Sequence, residues 1–297
     1  DYAVNNLVLP SGLKTIGHDA FYGSKITGEV KVPASVTSIG DYAFCTSTLG
    51  ALYFPAAVPS TFGKYVWSSG NSSFVCWVPN EYGSKYLEKA NSWGTSYGNK
   101  LAPWISPDNT TQMFSSVFPV NLSGSGINAY YASAFNKSNT TAQVTLTKAN
   151  QAPEATGLLL TDLTKGEEYR IARPTTSVSA PMTNYFEAAT TITNVYAQTV
   201  GYYWNASSAI PHFVRPTTNY NTSLAYLKLS SSEASGLTDV YTTLFPKSLV
   251  GDVDGSGVID VTDLNIVINV TLGKAVNSKA DVDNSGDVDV TDINTVI

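Results

Sequence analysis

Long apolar runs are missing from this 297-residue chain, and nothing approaches the roughly 20 consecutive apolar residues that a membrane-spanning helix needs. Charge is scarce too, at 13% of residues. No basic cluster is present of the kind that follows a phosphate backbone, which argues against nucleic acid as a partner. The two cysteines, Cys45 and Cys76, stand in no metal-ligand spacing. The two histidines are His18 and His212. A Ser-His-Asp arrangement in the middle of the chain would have to use His212, and no Gly-x-Ser-x-Gly elbow accompanies it. Glu167 and Glu168 are adjacent carboxylates, but neighbours on a strand point to opposite faces and cannot flank one scissile bond. The sequence therefore offers no catalytic residue, and the expectation is a protein that is not an enzyme. The sequence begins at Asp1 with no initiator Met and no charged-then-apolar leader, so any signal peptide is expected to have been removed or to lie outside this sequence, and export is inferred from the modules.

In place of charge the chain uses Ser, Thr, Asn, Tyr and Gly, a composition typical of extracellular β-rich modules. Hydrophobic residues at 43% and a mean hydropathy of -0.04 leave enough apolar surface for cores. The length has room for two or three domains, and three are expected. The net charge of -6 is local: residues 250–297 hold nine Asp and no Glu against Lys274 and Lys279, which leaves the rest of the chain slightly positive. Such a concentration calls for a local cause such as a bound cation.

Internal repeats organise residues 1–104. Leu7-Val8-Leu9-Pro10, Val30-Lys31-Val32-Pro33, Leu52-Tyr53-Phe54-Pro55 and Cys76-Trp77-Val78-Pro79 set their closing prolines at a nearly constant step. Leu13, Ile16-Gly17 and Ala20-Phe21 correspond to Val36, Ile39-Gly40 and Ala43-Phe44, with Phe62 and Trp67 standing in for these positions in the third unit. Each apolar pair before Pro reads as a short inward-facing strand that Pro ends. Cys76 falls in the core column of Leu7, Val30 and Leu52, whereas Cys45 aligns with Tyr22, so the registers argue against a disulfide. His18 aligns with Asp41 at an outward position. Tyr82, Tyr86, Leu87 and Ala90 fall at helical spacing within 81–93 and read as a terminal cap. The pattern resembles the leucine-rich repeats of BspA-like surface proteins of Bacteroides-type bacteria. That resemblance implies a solenoid, a secreted or cell-surface location and contact with other proteins.

Residues 105–247 exchange that period for alternation. Strand-like runs are Ser116–Leu122, Ile127–Phe135, Ala142–Thr147, Thr156–Thr161, Glu168–Ala172, Thr199–Trp204, His212–Arg215 and Ser223–Leu229, at spacings that suit a β-sandwich or related all-β module. Tyr130, Tyr131, Tyr202, Tyr203 and Trp204 invite a glycan-stacking reading, but Tyr and Trp are also favoured, readily buried strand residues.

The strongest motif lies in 248–297. Asp252, Asp254, Ser256, Val258, Asp260 and Asp263, and again at the same spacing Asp281, Asp283, Ser285, Asp287, Asp289 and Asp292, occupy positions 1, 3, 5, 7, 9 and 12 of two loops with Gly257 and Gly286 at position 6. That is a calcium-loop layout, position 7 contributing a backbone carbonyl. Two Ca²⁺ ions are expected, because no His or Cys is offered for a softer metal. Leu264, Val267, Ile268 and Leu272 form one stripe of an exiting helix, and Ile293, Val296 and Ile297 repeat its beginning. Position 12 is Asp, not the longer Glu, and no entering helix precedes either loop. Loop plus exiting helix resembles the half-hand of type I dockerins. That resemblance implies a cohesin-like partner, met through Val261 and Thr262 in one half and Val290 and Thr291 in the other.

The fold class expected is therefore multidomain and mainly β: a leucine-rich-repeat solenoid with its cap in 1–104, a central β-sandwich-like module in 105–247 and a small α dockerin in 248–297. The function expected is a non-catalytic binding or adhesion protein, with an unknown protein or glycan ligand, tethered through calcium-dependent dockerin–cohesin contact. The alternatives are a glycan-binding accessory of a polysaccharide-degrading complex, or the non-catalytic part of a larger hydrolase.

Overall fold

The computed structural model describes all residues except 1–2, 46–47, 69–70, 139–140, 190–192, 196–199, 223, 246–250, 255–258, 260, 278, 284 and 297. The protein is mainly β, with helices α1 (Gly83–Asn91) and α2 (Thr95–Gly98) after the repeats and α3 (Val261–Thr271) and α4 (Val290–Val296) near the C-terminus.

The repeats pair in parallel, each strand with its counterpart in the next unit. Glu29–Lys31, Ala51–Tyr53, Val75–Pro79 and Leu101–Ile105 form one ladder. Thr15–Ile16, Ser38–Ile39 and Thr61–Phe62 form a second. The register aligns Val30, Leu52, Cys76 and Leu101 in one fully buried column, so Cys76 is a core residue. Both cysteines are free, and burial pushes the Cys76 thiol up. Ile16, Ile39 and Phe62 share the second register, and Phe44 bridges to Trp67, as the repeat alignment places them. The glycines after Ile39 and Phe62 have a steric cause, while Gly17 after Ile16 in the first unit faces open space. A Cβ on Gly40 would lie 2.4 Å from the backbone nitrogen of His18, and one on Gly63 2.4 Å from that of Asp41. Backbone passes so close there that only glycine fits.

Helix α1 closes one ladder and not the other. Its buried Tyr86 and Ala90 join the repeat core, and Tyr86 donates to the Ala56 carbonyl at 3.0 Å. Trp93 beyond it stacks on Phe62 at 5.9 Å. The longer ladder continues past the helix into Leu101–Ile105, while Tyr86 and Trp93 lie against Phe62 of the other ladder. Tyr169–Arg170, from the middle of the chain, pairs antiparallel with Ile105 and Trp104 and ends the longer ladder.

Arg170 fastens this junction. Its guanidinium lies 4.9 Å from the Tyr53 ring and 5.7 Å from that of Trp77, donates to Glu168 at 2.8 Å and bonds both carboxylate oxygens of Glu29. Tyr53 donates to Glu168 at 2.7 Å. Burial raises the Glu168 carboxyl, but hydrogen bonds from Tyr53 and Arg170 outweigh it and hold the group below its ordinary value. Such a group stabilises the fold above its unfolded pKa of about 4.3, and that contribution is lost as pH falls through the lowered folded value. Arg170→Met leaves Glu29 and Glu168 facing each other without their cation. Removing one partner of a fully buried pair costs roughly 3–5 kcal/mol. Here the Arg170 side chain is 30% exposed, so about 1–2 kcal/mol is expected. Hydrogen exchange at the Tyr169 and Ile171 amides should accelerate at pH 7, and unchanged exchange would count against the junction.

A nine-stranded sheet fills the middle of the chain, in the order Gln112–Phe114, Leu158–Thr161, Asn128–Lys137, Ala142–Lys148, Asp239–Thr242, His212–Val214, Gly201–Asn205, Ala225–Lys228 and Phe186–Ala188. Its neighbours are antiparallel except Ala142–Lys148 beside Asp239–Thr242. Met113 at one end shares a core with Phe186 and Ala225 at the other, so one continuous sheet folds over itself. Phe114, Leu158 and Leu160 point the other way, into a second core with Ile105 and Tyr169. Two buried faces explain why Leu158-Leu159-Leu160 is apolar without alternation. Of the run Ser116–Leu122 only Val120–Asn121 is strand. The flanking Ser115 and Ser116 are buried at a turn, with the Ser116 hydroxyl accepting from the Phe118 amide at 3.1 Å.

At the C-terminus Val253, Val267, Ala280, Val282 and Val296 form a small separate core. Leu272 is not part of the buried stripe and is 59% exposed. Helix α3 ends at Thr271, where Gly273 at φ 66° donates to the Val270 carbonyl at 2.9 Å, and this left-handed turn carries Leu272 away from the core. Ile266 and Val270 pack against the core in its place.

Candidate functional site

The two acidic loops converge in the same way. Carboxylate oxygens of Asp252, Asp254 and Asp263 lie within 4.8 Å of one another, and so do those of Asp281, Asp283 and Asp292. These are positions 1, 3 and 12 of each loop. Position 12 opens the exiting helix in both cases and is fully buried. Asp263 Oδ1 accepts from the Val253 and Asp254 amides at 2.7 and 3.1 Å. Asp292 Oδ1 accepts from Val282 and Asp283 at 2.6 and 3.1 Å. One carboxylate thus pins the start of its loop to the first turn of its helix, where negative charge also meets the positive end of the helix dipole. The Asp289 amide donates to Asp292 Oδ2 at 2.9 Å, and this bond leads in holding the Asp292 carboxyl below its ordinary range.

Between those ends the second loop turns inward. Ser285 and Gly286 amides donate to Asp281 at 2.9 and 3.0 Å, and Gly286 adopts φ 97°, open to glycine at little cost. The Ser285 hydroxyl lies 3.1 Å from the Asp287 carbonyl oxygen, which brings positions 5 and 7 together. The donor set is wholly oxygen and mostly anionic, and it fits a hard divalent cation, not a thiophilic metal. Ser256, Val258 and Asp260 of the first loop lie outside the described residues.

Val261 and Val290 lead their helices at 67% and 61% exposure, and Thr262 and Thr291 beside them are exposed. The Thr291 hydroxyl is engaged within its own loop, 3.0 Å from Asp283 Oδ2 and 2.5 Å from Asp289 Oδ1. Its hydrogen bond to Asp289 leads in lowering that carboxyl. The two valines are among the exposed apolar side chains of this end, with Leu272 at 59% and Val276 at 100%.

On the repeats, sequence reading missed a row of tyrosines. Tyr22 meets Tyr42 edge-on at 6.5 Å, Tyr42 stacks on Tyr65 at 5.3 Å, and Tyr65 meets Tyr97 at 5.5 Å. His18, exposed as its register implies, adds a ring 6.0 Å from Tyr42. Tyr42 and Tyr65, equivalent positions of successive units, both adopt left-handed backbone at φ 58° and 54°, as does Asp19 at 54°. Bulky residues avoid this region, and a repeated backbone bond, Asp19 to the Asp41 carbonyl and Tyr42 to that of Lys64, holds it. The signal was the repeat step that joins position 42 to position 65.

In the middle of the chain, Tyr202 and Trp204 are core residues, which removes them from any exposed stacking surface. Tyr203 is partly exposed and stacks on Tyr220 at 4.2 Å. Tyr130 and Tyr131 sit on Asn128–Lys137, half-buried. His212 donates to the Ile210 carbonyl at 2.7 Å and lies 3.5 Å from Asp239, and among the described residues no serine bonds to it. Glu168 is committed to Arg170, while Glu167 accepts from Tyr169 at 3.3 Å.

Residues 1–84 match the BspA type leucine rich repeat region, in six copies. No curated protein matches the chain. No helix among the described residues is long and apolar enough to cross a membrane.

Proposed function

We propose that the chain is a non-catalytic, secreted or cell-surface binding protein whose repeats meet a protein partner and whose tail, residues 248–297, is a calcium-ordered dockerin that docks to a cohesin-like module. The observation that carries the contact role is the tyrosine row, on a region matching BspA-type repeats. Tyrosine supplies large amphipathic contact area at low entropic cost, and aromatic residues dominate the energetic centres of protein interfaces. Tyr22 is 54% exposed. Tyr42→Ala is expected to weaken attachment of the chain to immobilised extracellular proteins at least tenfold with an unchanged melting curve, read by surface plasmon resonance. Unchanged attachment would refute the role of this face.

The tail's reading rests on the doubled geometry of the acidic loops. Asp252, Asp254, Ser256, the Val258 carbonyl, Asp260 and Asp263 would hold one Ca²⁺, and Asp281, Asp283, Ser285, the Asp287 carbonyl, Asp289 and Asp292 the other. Bound calcium would supply positive charge that offsets carboxylate repulsion within each loop. The rest is done by the chain: Asp263 and Asp292 tie loop to helix, and the helix starts display Val261 and Val290. Because the ion binds the folded tail and not the unfolded one, each site adds about 2.7 kcal/mol of stability at a hundredfold excess of ion over its dissociation constant.

A further inference from the structure

We infer that the groove where the sheet meets the end of the repeats is a binding site for a neutral oligosaccharide. Two adjoining cavities of about 200 and 300 Å³ share Asp108, Gln112 and Leu224. The smaller reaches the stacked pair Tyr203 and Tyr220, and the larger reaches Trp104. Aromatic rings thus stand at both ends of one groove, with carboxylate and amide side chains between them. A pyranose ring has an apolar C–H face and a rim of hydroxyls. It matches a ring platform bordered by short hydrogen-bonding groups.

The platform is pre-formed. Tyr220 is 37% exposed and lies on Tyr203 at 4.2 Å with the rings 20° from parallel. Beneath, Trp204 is fixed by its hydrogen bond to Thr111 at 3.0 Å, so no aromatic group has to be ordered on binding. Asp108 and Asn109 are exposed and Gln112 is half-buried, each lining the smaller cavity. Charge selects among glycans. Asp108 and Glu81 line the groove, and no Lys or Arg does, so uronate-rich or sulfated chains meet repulsion with no compensating cation. The absence of cations among the lining residues argues equally against nucleic acid. This inference stands apart from the calcium-ordered tail and from the tyrosine row, neither of which borders the groove.

The test is calorimetric titration of the full chain, in EDTA, with cellohexaose, xylohexaose, mannohexaose and maltohexaose, and with polygalacturonate as the anionic counter-probe. One or more neutral hexasaccharides should bind with a stoichiometry of one. Tyr220→Ala and Gln112→Ala should each weaken that binding about tenfold or more with an unchanged melting curve, and Lys165→Ala, exposed and outside the groove, should leave it unaltered. The inference is overturned if no neutral hexasaccharide binds at millimolar concentration, if binding ignores Tyr220→Ala, or if the groove responds only to polygalacturonate.

Discussion

Leu52→Ala destabilises the repeat region by roughly 3–4 kcal/mol, within the range for emptying a fully buried leucine site. Leu52 is fully buried between Val30 and Cys76, its partners in the two adjoining strands. Parallel strands of three to five residues cannot relax around a void without losing register with both neighbours. The vacated volume therefore stays open, and both transfer and cavity penalties apply. Chemical denaturation followed by tryptophan fluorescence checks this, since Trp67 and Trp93 lie in the same core. A cost below about 1 kcal/mol, typical of a surface change, would mean that the column does not hold the units together. Gly40→Ala adds a single methyl group and should still be costly, because the incoming Cβ would meet the backbone of the preceding unit.

Asp292→Ala is expected to unfold the tail's second half even without calcium. The carboxylate is fully buried and accepts from the Val282, Asp283 and Asp289 amides. Each donor left unpaired costs about 1–3 kcal/mol, and the local core of five small-to-medium apolar residues offers little to absorb that. Asp292→Asn separates the two roles of the residue. The amide oxygen can still accept from Val282 and Asp283, while the Asp289 bond is lost because an NH2 replaces its acceptor. Helical circular dichroism without calcium should fall less than in Asp292→Ala, while loss of the negative charge should weaken calcium binding more than tenfold. If Asp292→Ala leaves the ion-free tail intact, the buried carboxylate is not the tie between loop and helix.

Much of this was legible in the sequence wherever a physical constraint repeats. Proline steps located three of the ladder strands, Glu29–Lys31, Ala51–Tyr53 and Val75–Pro79, whereas Leu7-Val8-Leu9 before Pro10 forms no strand and leaves Val8 86% exposed, and Pro103 sits inside Leu101–Ile105. The Ile-Gly pairs recurred because Ile16 and Ile39 are both buried, and from the second unit on the glycine position lies against the backbone of the unit before. The paired acidic loops were legible because the carboxylates that converge, at positions 1, 3 and 12, recur at one spacing in both loops. Features that arise once were harder to read. Leu101–Ile105 extends the ladder only after a helical insertion, and the step from Cys76 to Leu101 is longer than any earlier step in that column. Gln112–Phe114, Phe186–Ala188 and Asp239–Thr242 have three or four residues each, too few for alternation to register. The Arg170 junction joins residues 141 apart, and nothing local to Glu29 or Arg170 marks it. Leu272 fitted a helical stripe by spacing alone, and the glycine-capped end of α3 removes it.

Calcium titrated calorimetrically into the EDTA-stripped full chain, beside the Asp252→Ala, Asp281→Ala double variant, tests the central claim most directly. The account predicts two ions bound per chain with a gain in helical circular dichroism, both lost in the variant. No binding at millimolar calcium, or binding that the variant retains, would contradict it.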